Sequence, residues 1–174
     1  MVNVRSMIAL YAGKFSKQVL KLINSSGTAL PGKLALRIDN NFLDNIEEKC
    51  DTVIMVTGTN GKTTTTALTG EIMRNYFDDV RVVGNIGIPY TQEASTMTEE
   101  TVTVAEVSSF QLETIQDFCP EVSAILNITP DHLNRHHTME AYIAAKEDIS
   151  KNQTKEQFCV LNYEDEVLRA FGEK

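Results

Sequence analysis

One run of residues constrains the fold more than any other feature of the chain. Residues 57–64 read Thr-Gly-Thr-Asn-Gly-Lys-Thr-Thr and directly follow the apolar run 52–56. A strand that turns through glycines into a helix brings backbone N–H groups and the positive helix end to one point, which suits a triphosphate. Lys62 can reach the β and γ phosphates, and the Thr63 hydroxyl can complete a Mg²⁺ shell. The pattern predicts that ATP and Mg²⁺ are bound by Gly58, Thr59, Asn60, Gly61, Lys62, Thr63 and Thr64.

This run departs from the general pattern G-x-x-x-x-G-K-[ST] at one position. Val56 stands where the first glycine is expected, and an extra glycine falls at Gly58. The alternative to a phosphate loop is a Thr/Gly-rich turn that only joins a strand to a helix. The buried type of strand before it and the Gly-Lys-Thr within it favour the phosphate loop.

Charge is distributed unevenly along the 174 residues. The net charge is −8, yet residues 1–38 carry six basic residues and no acidic one. This division predicts an N-terminal segment, residues 1–50, joined to an acidic α/β domain at 51–174. Nucleic acid is not expected as a partner of the acidic part.

Two further classes of protein are excluded by the composition. No stretch reaches the roughly 20 continuous apolar residues that span a bilayer, and no signal peptide is recognisable, so we expect a cytoplasmic protein. The cysteines at 50, 119 and 159 show no C-x-x-C spacing. They predict reduced thiols in or near the core, without a disulfide framework or zinc ribbon.

Residues 4–23 have the pattern of an amphipathic helix with a basic face. Apolar residues recur at intervals of three or four, with lysines between them. Two interpretations stay open, and the second is favoured: contact with an anionic membrane surface or a partner, or packing on the body of the protein with the lysines in solvent.

From residue 51 onward, short apolar runs alternate with helical stretches. This alternation predicts an α/β fold, a mostly parallel sheet with crossover helices. We expect Thr138 to be the N-cap of the third helix. The predicted strands lie near 52–57, 80–84, 101–107, 122–128 and 157–162, and the predicted helices near 62–76, 109–117, 138–151 and 164–171.

The carboxyl ends of parallel strands meet at one edge of a sheet, and the predicted strand ends here are polar. Glu106 is the last residue of an apolar strand. At this position it can bind Mg²⁺. The alternative is that it caps the next helix, for which it lies slightly early in the sequence. Asp131 and His132 follow another strand. His132 and His136 are spaced like a helical zinc pair, although no further ligand pattern supports zinc. Lys146, taken alone, is typical of a solvated helix surface.

Five motifs together resemble the central ATP-binding domain of the Mur ligases. Within this family the second and third motifs are most similar to the D-glutamate-adding enzymes. The motifs are residues 57–64, Gly84-Asn85-Ile86-Gly87, residues 106–113 (Glu-Val-Ser-Ser-Phe-Gln-Leu-Glu), Asp131-His132, and Tyr142 to Lys146.

The resemblance implies an activity and a set of site residues. Mur ligases use ATP to phosphorylate a carboxylate of a UDP-muramoyl precursor, and the amine of an amino acid then displaces the phosphate. It implies phosphate binding by Lys62 and Thr63, magnesium ligation by Glu106 and His132, and a carbamylated Lys146 as a further magnesium ligand. Asn85, Ser108 and Gln111 match positions that contact the muramoyl substrate.

The resemblance is incomplete at both ends. Residues 1–50 are similar to the start of the Mur-like subunit of lipid II isoglutaminyl synthase, which implies a glutaminase-like partner as an alternative. The chain ends after about half of a central domain, before the parts that hold most of the adenine pocket and the amino acid. A third alternative is therefore a nucleotide-binding or membrane-surface module without catalytic activity.

Overall fold

The computed structural model describes residues 52–173. The predicted helix at residues 4–23 and Cys50 lie outside these residues. Five strands are present in this part of the chain: β1 (Thr52–Thr57), β2 (Val80–Gly84), β3 (Val102–Glu106), β4 (Val122–Ile125) and β5 (Phe158–Leu161). Six α-helices connect or follow them: α1 (Lys62–Met73), α2 (Tyr90–Glu93), α3 (Ser109–Leu112), α4 (Leu133–His136), α5 (Met139–Glu147) and α6 (Glu166–Gly172).

All five strands form one parallel sheet in the order β2-β3-β1-β4-β5. The predicted α/β class is confirmed. Because β1 lies at the centre, the chain moves to one side of it for β2 and β3 and to the other for β4 and β5. The strand order therefore reverses next to β1, and ligands of open parallel sheets bind at the carboxyl end of such a point.

Side chains of β1 alternate between two apolar clusters. Val53 and Met55 join the larger cluster, to which α2, α3, α5 and α6 also contribute, for example through Leu112 and Leu168. Ile54 joins the smaller cluster, against which Met73 of α1 packs. Burial on both faces explains why the strands of this sheet read as continuous apolar runs.

The prediction of a helix over 109–117 is wrong in length, since α3 ends at Leu112. The following residues form tighter turns: the Thr114 N–H donates to the Gln111 carbonyl oxygen, and the Thr114 hydroxyl donates to the same oxygen at 2.7 Å. A threonine side chain that takes a backbone carbonyl in this way competes with the helix.

The other predicted boundaries are close to those observed. Thr138 is the N-cap of α5, as predicted, and its hydroxyl accepts from the Ala141 N–H. The predicted helix at 138–151 consists of α5 and a separate 3₁₀ turn, Asp148–Ser150. Strand β4 ends three residues early because its exit turns toward the phosphate loop, where the Thr59 N–H donates to the Asn127 carbonyl.

The cysteines are less buried than predicted. Cys119 is partly buried, whereas Cys159 is exposed on β5, the last strand of the described sheet. Both have free thiols. The core prediction is wrong for Cys159, because it lies on the last strand of the described sheet, where three of the four strand residues are exposed.

Candidate functional site

The phosphate loop occupies the carboxyl end of the central strand. Its two glycines have positive φ angles, 149° at Gly58 and 80° at Gly61, and Gly61 is the N-cap of α1. The Lys62 ammonium donates to the Thr59 carbonyl oxygen at 2.9 Å, so its charge lies over the loop. A helix start, a flexible lysine and a glycine-rich turn thus converge where the sequence predicted them.

Glu106 links the loop to the neighbouring strand. Its side chain is 2% exposed at the end of β3, and its backbone pairs with Val56 on one side and Gly84 on the other. One carboxylate oxygen accepts from the Thr63 hydroxyl at 2.8 Å, and the other accepts from the Asn85 amide at 3.2 Å. Three of the predicted site residues are therefore in direct contact.

Asn85 depends on a tight turn after β2. A side chain at Gly84, whose φ is 95°, would place its Cβ 2.2 Å from the Glu106 carbonyl oxygen. The same oxygen accepts from the Asn85 N–H at 2.9 Å. Only glycine fits so close to this backbone, and the fit brings the Asn85 amide to Glu106.

Lys146 lies beneath the phosphate loop and not on the protein surface. Its side chain is 2% exposed, and its ammonium donates to the Gly58 carbonyl at 2.9 Å. Burial, and secondarily the charge of Lys62, lower the pKa of Lys146 to about 8. The interpretation of Lys146 alone as a solvated lysine is wrong, because α5 turns this face toward the core.

Tyr142 lies one turn before Lys146 on α5 and contacts the phosphate loop, a role that was not predicted from the sequence. Its hydroxyl is hydrogen-bonded to that of Thr59 at 3.2 Å, and the Lys146 ammonium lies 4.9 Å from the centre of its ring. Burial raises the pKa of Tyr142. The four-residue spacing of Tyr142 and Lys146 was the available signal, since it places both on one helix face.

His132 is exposed beside the site in an unusual backbone conformation. Its φ is 53°. The centre of its ring lies 5.0 Å from that of the Phe110 ring, and its Nε2 lies 3.5 Å from a carboxylate oxygen of Asp131. Left-handed backbone at a residue other than glycine is concentrated at functional sites. The exposed imidazole of His132 is a candidate metal ligand at this edge of the sheet.

His136 does not share a metal with His132. Its ring is buried, with Nε2 2.9 Å from the Ser109 hydroxyl and Nδ1 3.2 Å from the Glu113 carboxylate. No group of three or more His, Cys, Asp or Glu side chains in residues 52–173 is placed to hold a metal ion. The zinc alternative is therefore not supported, and both ring nitrogens of His136 are engaged in connecting α3 with α4.

Ser108 and Gln111 contact each other at the start of α3. The side-chain amide oxygen of Gln111 accepts from the Ser108 N–H at 2.8 Å and from the Ser108 hydroxyl at 2.9 Å. Such a pair stabilises a helix N-terminus by itself. Both residues follow the end of β3, and Asn85 follows the end of the neighbouring strand β2, so all three lie after strand ends at the same edge of the sheet.

Comparison with known proteins identifies the family. Residues 56–174 match the model of the Mur ligase middle domain. The chain belongs to the Mur ligase family. The fold is also shared with the MurF ligase of Thermotoga maritima in complex with ADP, with a TM-score of 0.60, 21% identity, and coverage of 78% of this chain and 34% of that one.

Among curated relatives, the similarity points to one kind of enzyme. A UDP-N-acetylmuramoylalanine–D-glutamate ligase of Lachnoclostridium phytofermentans is 68% identical over 117 residues, 67% of this chain and 26% of the relative. The enzyme of the same name from Clostridioides difficile is 54% identical over 158 residues, 90% of this chain and 33% of the relative. The chain therefore spans about a quarter to a third of the length of these relatives.

The longer of these alignments also bears on the N-terminal segment. Its 158 residues are more than lie between Thr52 and the end of the chain, so it extends into residues 1–50. Residues 1–50 resemble the start of the Mur-like subunit of lipid II isoglutaminyl synthase. Part of this segment is thus similar to a D-glutamate ligase as well. No helix within residues 52–173 is long and apolar enough to cross a membrane.

Proposed function

We propose that this chain carries the phosphate-binding part of an ATP-dependent ligase that adds D-glutamate to UDP-N-acetylmuramoyl-L-alanine in the cytoplasmic synthesis of peptidoglycan precursors. One observation carries the proposal: the Thr63 hydroxyl, the buried Glu106 carboxylate and the Asn85 amide are in contact beside the phosphate loop. This arrangement joins a nucleotide site to a position that contacts substrate in D-glutamate-adding ligases.

The residues around Glu106 fit a magnesium ion. A carboxylate that is 2% exposed needs a positive charge nearby, yet the Thr63 and Asn85 groups that donate to it are neutral. Mg²⁺ prefers one or two carboxylates together with phosphate oxygens, and a threonine hydroxyl completes such shells. When bound, Mg²⁺ would neutralise negative charge that builds up on the transferring phosphoryl group.

Lys62 supplies positive charge without a metal. Its ammonium now donates to the Thr59 carbonyl and can exchange this partner for a phosphate oxygen, because a lysine stem is flexible. The α1 N-terminus directs further donors toward the same position. In the proposed reaction the substrate carboxylate attacks the γ phosphorus of ATP and ADP leaves, which forms an acyl phosphate. The neutral amine of D-glutamate then attacks the acyl carbon, phosphate leaves, and the nitrogen loses a proton to give the amide.

Lys146 and His132 are proposed as ligands for a second magnesium ion. A lysine binds Mg²⁺ only after its cationic amine becomes a carbamate, which requires the neutral amine to react with CO₂. A pKa of about 8 makes the neutral form of Lys146 more abundant near neutral pH than it is for a surface lysine. The side chains of Asn85, Ser108 and Gln111 are proposed to bind the muramoyl substrate.

The similarities favour D-glutamate addition over amidation of lipid II. The two curated relatives described above are both named D-glutamate ligases, and one alignment includes part of residues 1–50. A glutaminase-like partner is therefore not part of the proposal. Because the chain spans a third or less of these relatives, we expect nucleotide binding by this chain and do not expect turnover.

Calorimetric titration of Mg-ATP into the purified chain tests the nucleotide site. We expect saturable binding that Lys62→Ala weakens by about tenfold or more, since a charge-assisted contact to phosphate is lost. Lys155→Ala, which removes an exposed lysine outside the phosphate loop, serves as the matched control and should bind like the parent. Absence of binding by the parent chain would overturn the proposal for this chain.

Specificity requires a second assay. The chain is given Mg-ATP with UDP-N-acetylmuramoyl-L-alanine and D-glutamate, and release of ADP is measured. Release that depends on both substrates would establish ligase activity. Binding of Mg-ATP without release agrees with a part of a ligase, whereas release that needs lipid II and ammonia would replace D-glutamate addition by amidation.

A further inference from the structure

The side chain of Asn127, just beyond the end of β4, makes three hydrogen bonds to the backbone of the phosphate loop. Its carbonyl oxygen accepts from the Thr59 N–H at 3.1 Å and from the Asn60 N–H at 2.8 Å. Its amide nitrogen donates to the Asn60 carbonyl oxygen at 3.0 Å. One primary amide therefore contacts both N–H groups and one carbonyl of two successive loop residues.

The segment that follows β4 also contacts the phosphate loop at a second position. The Thr59 hydroxyl accepts from the Thr129 N–H at 3.0 Å and lies 3.2 Å from the Thr129 carbonyl oxygen, to which it donates. Thr59 thus contacts the segment that follows β4 through both its backbone N–H and its side-chain hydroxyl. This segment continues to Asp131 and His132, so the nucleotide loop and the proposed second metal site are joined by a few residues.

Gly58 makes this contact sterically feasible. A Cβ at Gly58 would lie 3.1 Å from the Leu126 Cβ and 3.3 Å from the Asn127 nitrogen, and the φ of 149° is rarely adopted by other residues. A larger residue would push the β4 exit away from the loop. Gly58, which is additional to the general phosphate-loop pattern, therefore also allows the Asn127 side chain to reach Thr59 and Asn60.

These contacts change which groups of the loop can meet a phosphate. The N–H groups of Thr59 and Asn60 already donate to Asn127, so the backbone donors for a phosphate belong to the beginning of α1. A loop that is ordered before the ligand arrives loses less entropy on binding than a loop that must be ordered by it. Rigid positioning of this kind increases affinity without any contact to the ligand.

We propose that Asn127 is a positioning residue that fixes the phosphate loop in its nucleotide-binding conformation before ATP binds. The proposal rests on the proposed function only where it concerns ATP, because the hydrogen bonds themselves can be tested without a ligand.

Amide hydrogen exchange, followed by NMR on the nucleotide-free chain, tests the contact directly. In the parent we expect slow exchange at both Thr59 and Asn60. In Asn127→Ala the Asn60 amide loses its acceptor and should exchange about tenfold faster or more. The Thr59 amide still donates to the Asn127 backbone carbonyl, at 2.9 Å, and should change less, which provides an internal comparison.

Two further variants complete the design. Asn127→Asp keeps the acceptor oxygen and should restore slow exchange at Asn60. Asn162→Ala is the control, since the Asn162 side chain accepts from the Glu164 N–H at 3.1 Å in a turn after β5, away from the loop. Calorimetry should show that Asn127→Ala binds Mg-ATP about tenfold more weakly than the parent, while Asn162→Ala binds normally.

The outcomes separate the two proposals. Fast exchange of Asn60 in the nucleotide-free parent, or unchanged exchange in Asn127→Ala, overturns the role of Asn127 even if Mg-ATP binds. Slow exchange in the parent that Asn127→Ala abolishes supports this role even if the parent binds no Mg-ATP, a result that would count against the proposed function alone. Equal Mg-ATP affinity of Asn127→Ala and parent would show that the contact does not influence binding and would also overturn the proposal.

Discussion

At the scale of single residues, burial decides the chemistry of His136. Its ring contacts Ser109 and Glu113 and stacks on Phe110, with ring centres 5.4 Å apart and planes within 11° of each other. Burial lowers the pKa of His136 from 6.5, against the opposing effect of the Glu113 carboxylate, while Arg135, His132 and Lys146 add small decreases. The neutral imidazole is therefore the form that belongs to the folded protein.

The lowered pKa predicts how stability depends on pH. As the pH falls below about 6.5, the unfolded chain takes up a proton at His136 before the folded protein does, so acid reduces the free energy of unfolding. We expect His136→Gln to show a smaller loss of stability between pH 6.5 and the folded pKa than the parent. Urea unfolding at a series of pH values measures this. His137→Gln, a change at the exposed neighbouring histidine, should keep the pH dependence of the parent; equal dependence in all three proteins would refute the prediction.

Lys146 provides a second prediction at the residue scale. Its lowered pKa, about 8, favours formation of a carbamate, because more of the amine is neutral near neutral pH. After incubation with ¹³C-bicarbonate we expect one carbamate signal in the ¹³C NMR spectrum, absent from Lys146→Met. Lys155→Met, at an exposed lysine, should retain the signal. A signal that persists in Lys146→Met would assign the carbamate elsewhere.

At the scale of elements, the turn after β2 positions the end of β3. Gly84 approaches the Glu106 backbone so closely that no side chain fits, and Asn85 then donates to the Glu106 carbonyl and carboxylate. The sequence predicted a strand ending at Gly84 and a role for Asn85. It did not show that Asn85 contacts Glu106, because these two residues are 21 positions apart in the chain.

Substitution of this glycine tests the arrangement. Gly84→Ala should lower the free energy of unfolding by about 1–3 kcal/mol, the typical cost of a strained backbone, with a further cost from the contact with Glu106. Gly87→Ala is the matched control, because its φ is also positive, at 136°, but no heavy atom lies within 4 Å of the added Cβ. Chemical denaturation of both variants measures the difference. If the two variants lose equal stability, the contact at Gly84 has no energetic importance.

Helix boundaries show where local sequence was informative. Thr138 was predicted as an N-cap and is one, because a cap depends only on residues within one turn. Asp165 caps α6 in the same way through Val167 and Leu168, and its second oxygen accepts from the Ile128 N–H at 2.8 Å. That second bond crosses from α6 to the exit of β4 and has no signature in the local sequence.

At the scale of the whole molecule, one apolar cluster extends from β1 to the last helix. It includes Val53 of β1, Val83 of β2, Tyr142 of α5 and Leu168 of α6. The described residues therefore form a single packed unit across the sheet. Other apolar side chains of the described part remain open to solvent, among them Leu68 on α1, Tyr76 after α1 and Phe158 on β5.

Because the larger apolar cluster includes Leu168 of α6, damage at the last helix is expected to destabilise the entire described domain. Leu168 is fully buried, and Leu168→Ala should lower the free energy of unfolding by about 2–5 kcal/mol. Val160→Ala, at a position that is 56% exposed, should change it by less than about 0.5 kcal/mol. Denaturation followed by far-UV circular dichroism gives both values. A separate early transition in Leu168→Ala would show that α6 unfolds on its own.

The class of fold, the phosphate loop and the positions of most strands could be predicted from the sequence. These depend on local spacing: buried strands are apolar without interruption, and a glycine-rich turn before a helix attracts phosphate. Glu106 and Asn85 could also be named, because each follows a strand at the edge where parallel strands end.

How those residues act together depends on the packing of the folded chain. The burial of Lys146, the use of both His136 nitrogens and the bonds from Asn127 to the phosphate loop all join segments far apart in the chain. Sequence patterns report periodicity and short spacing, whereas the charge state of a buried lysine and the shape of a loop depend on which distant groups the sheet brings into contact.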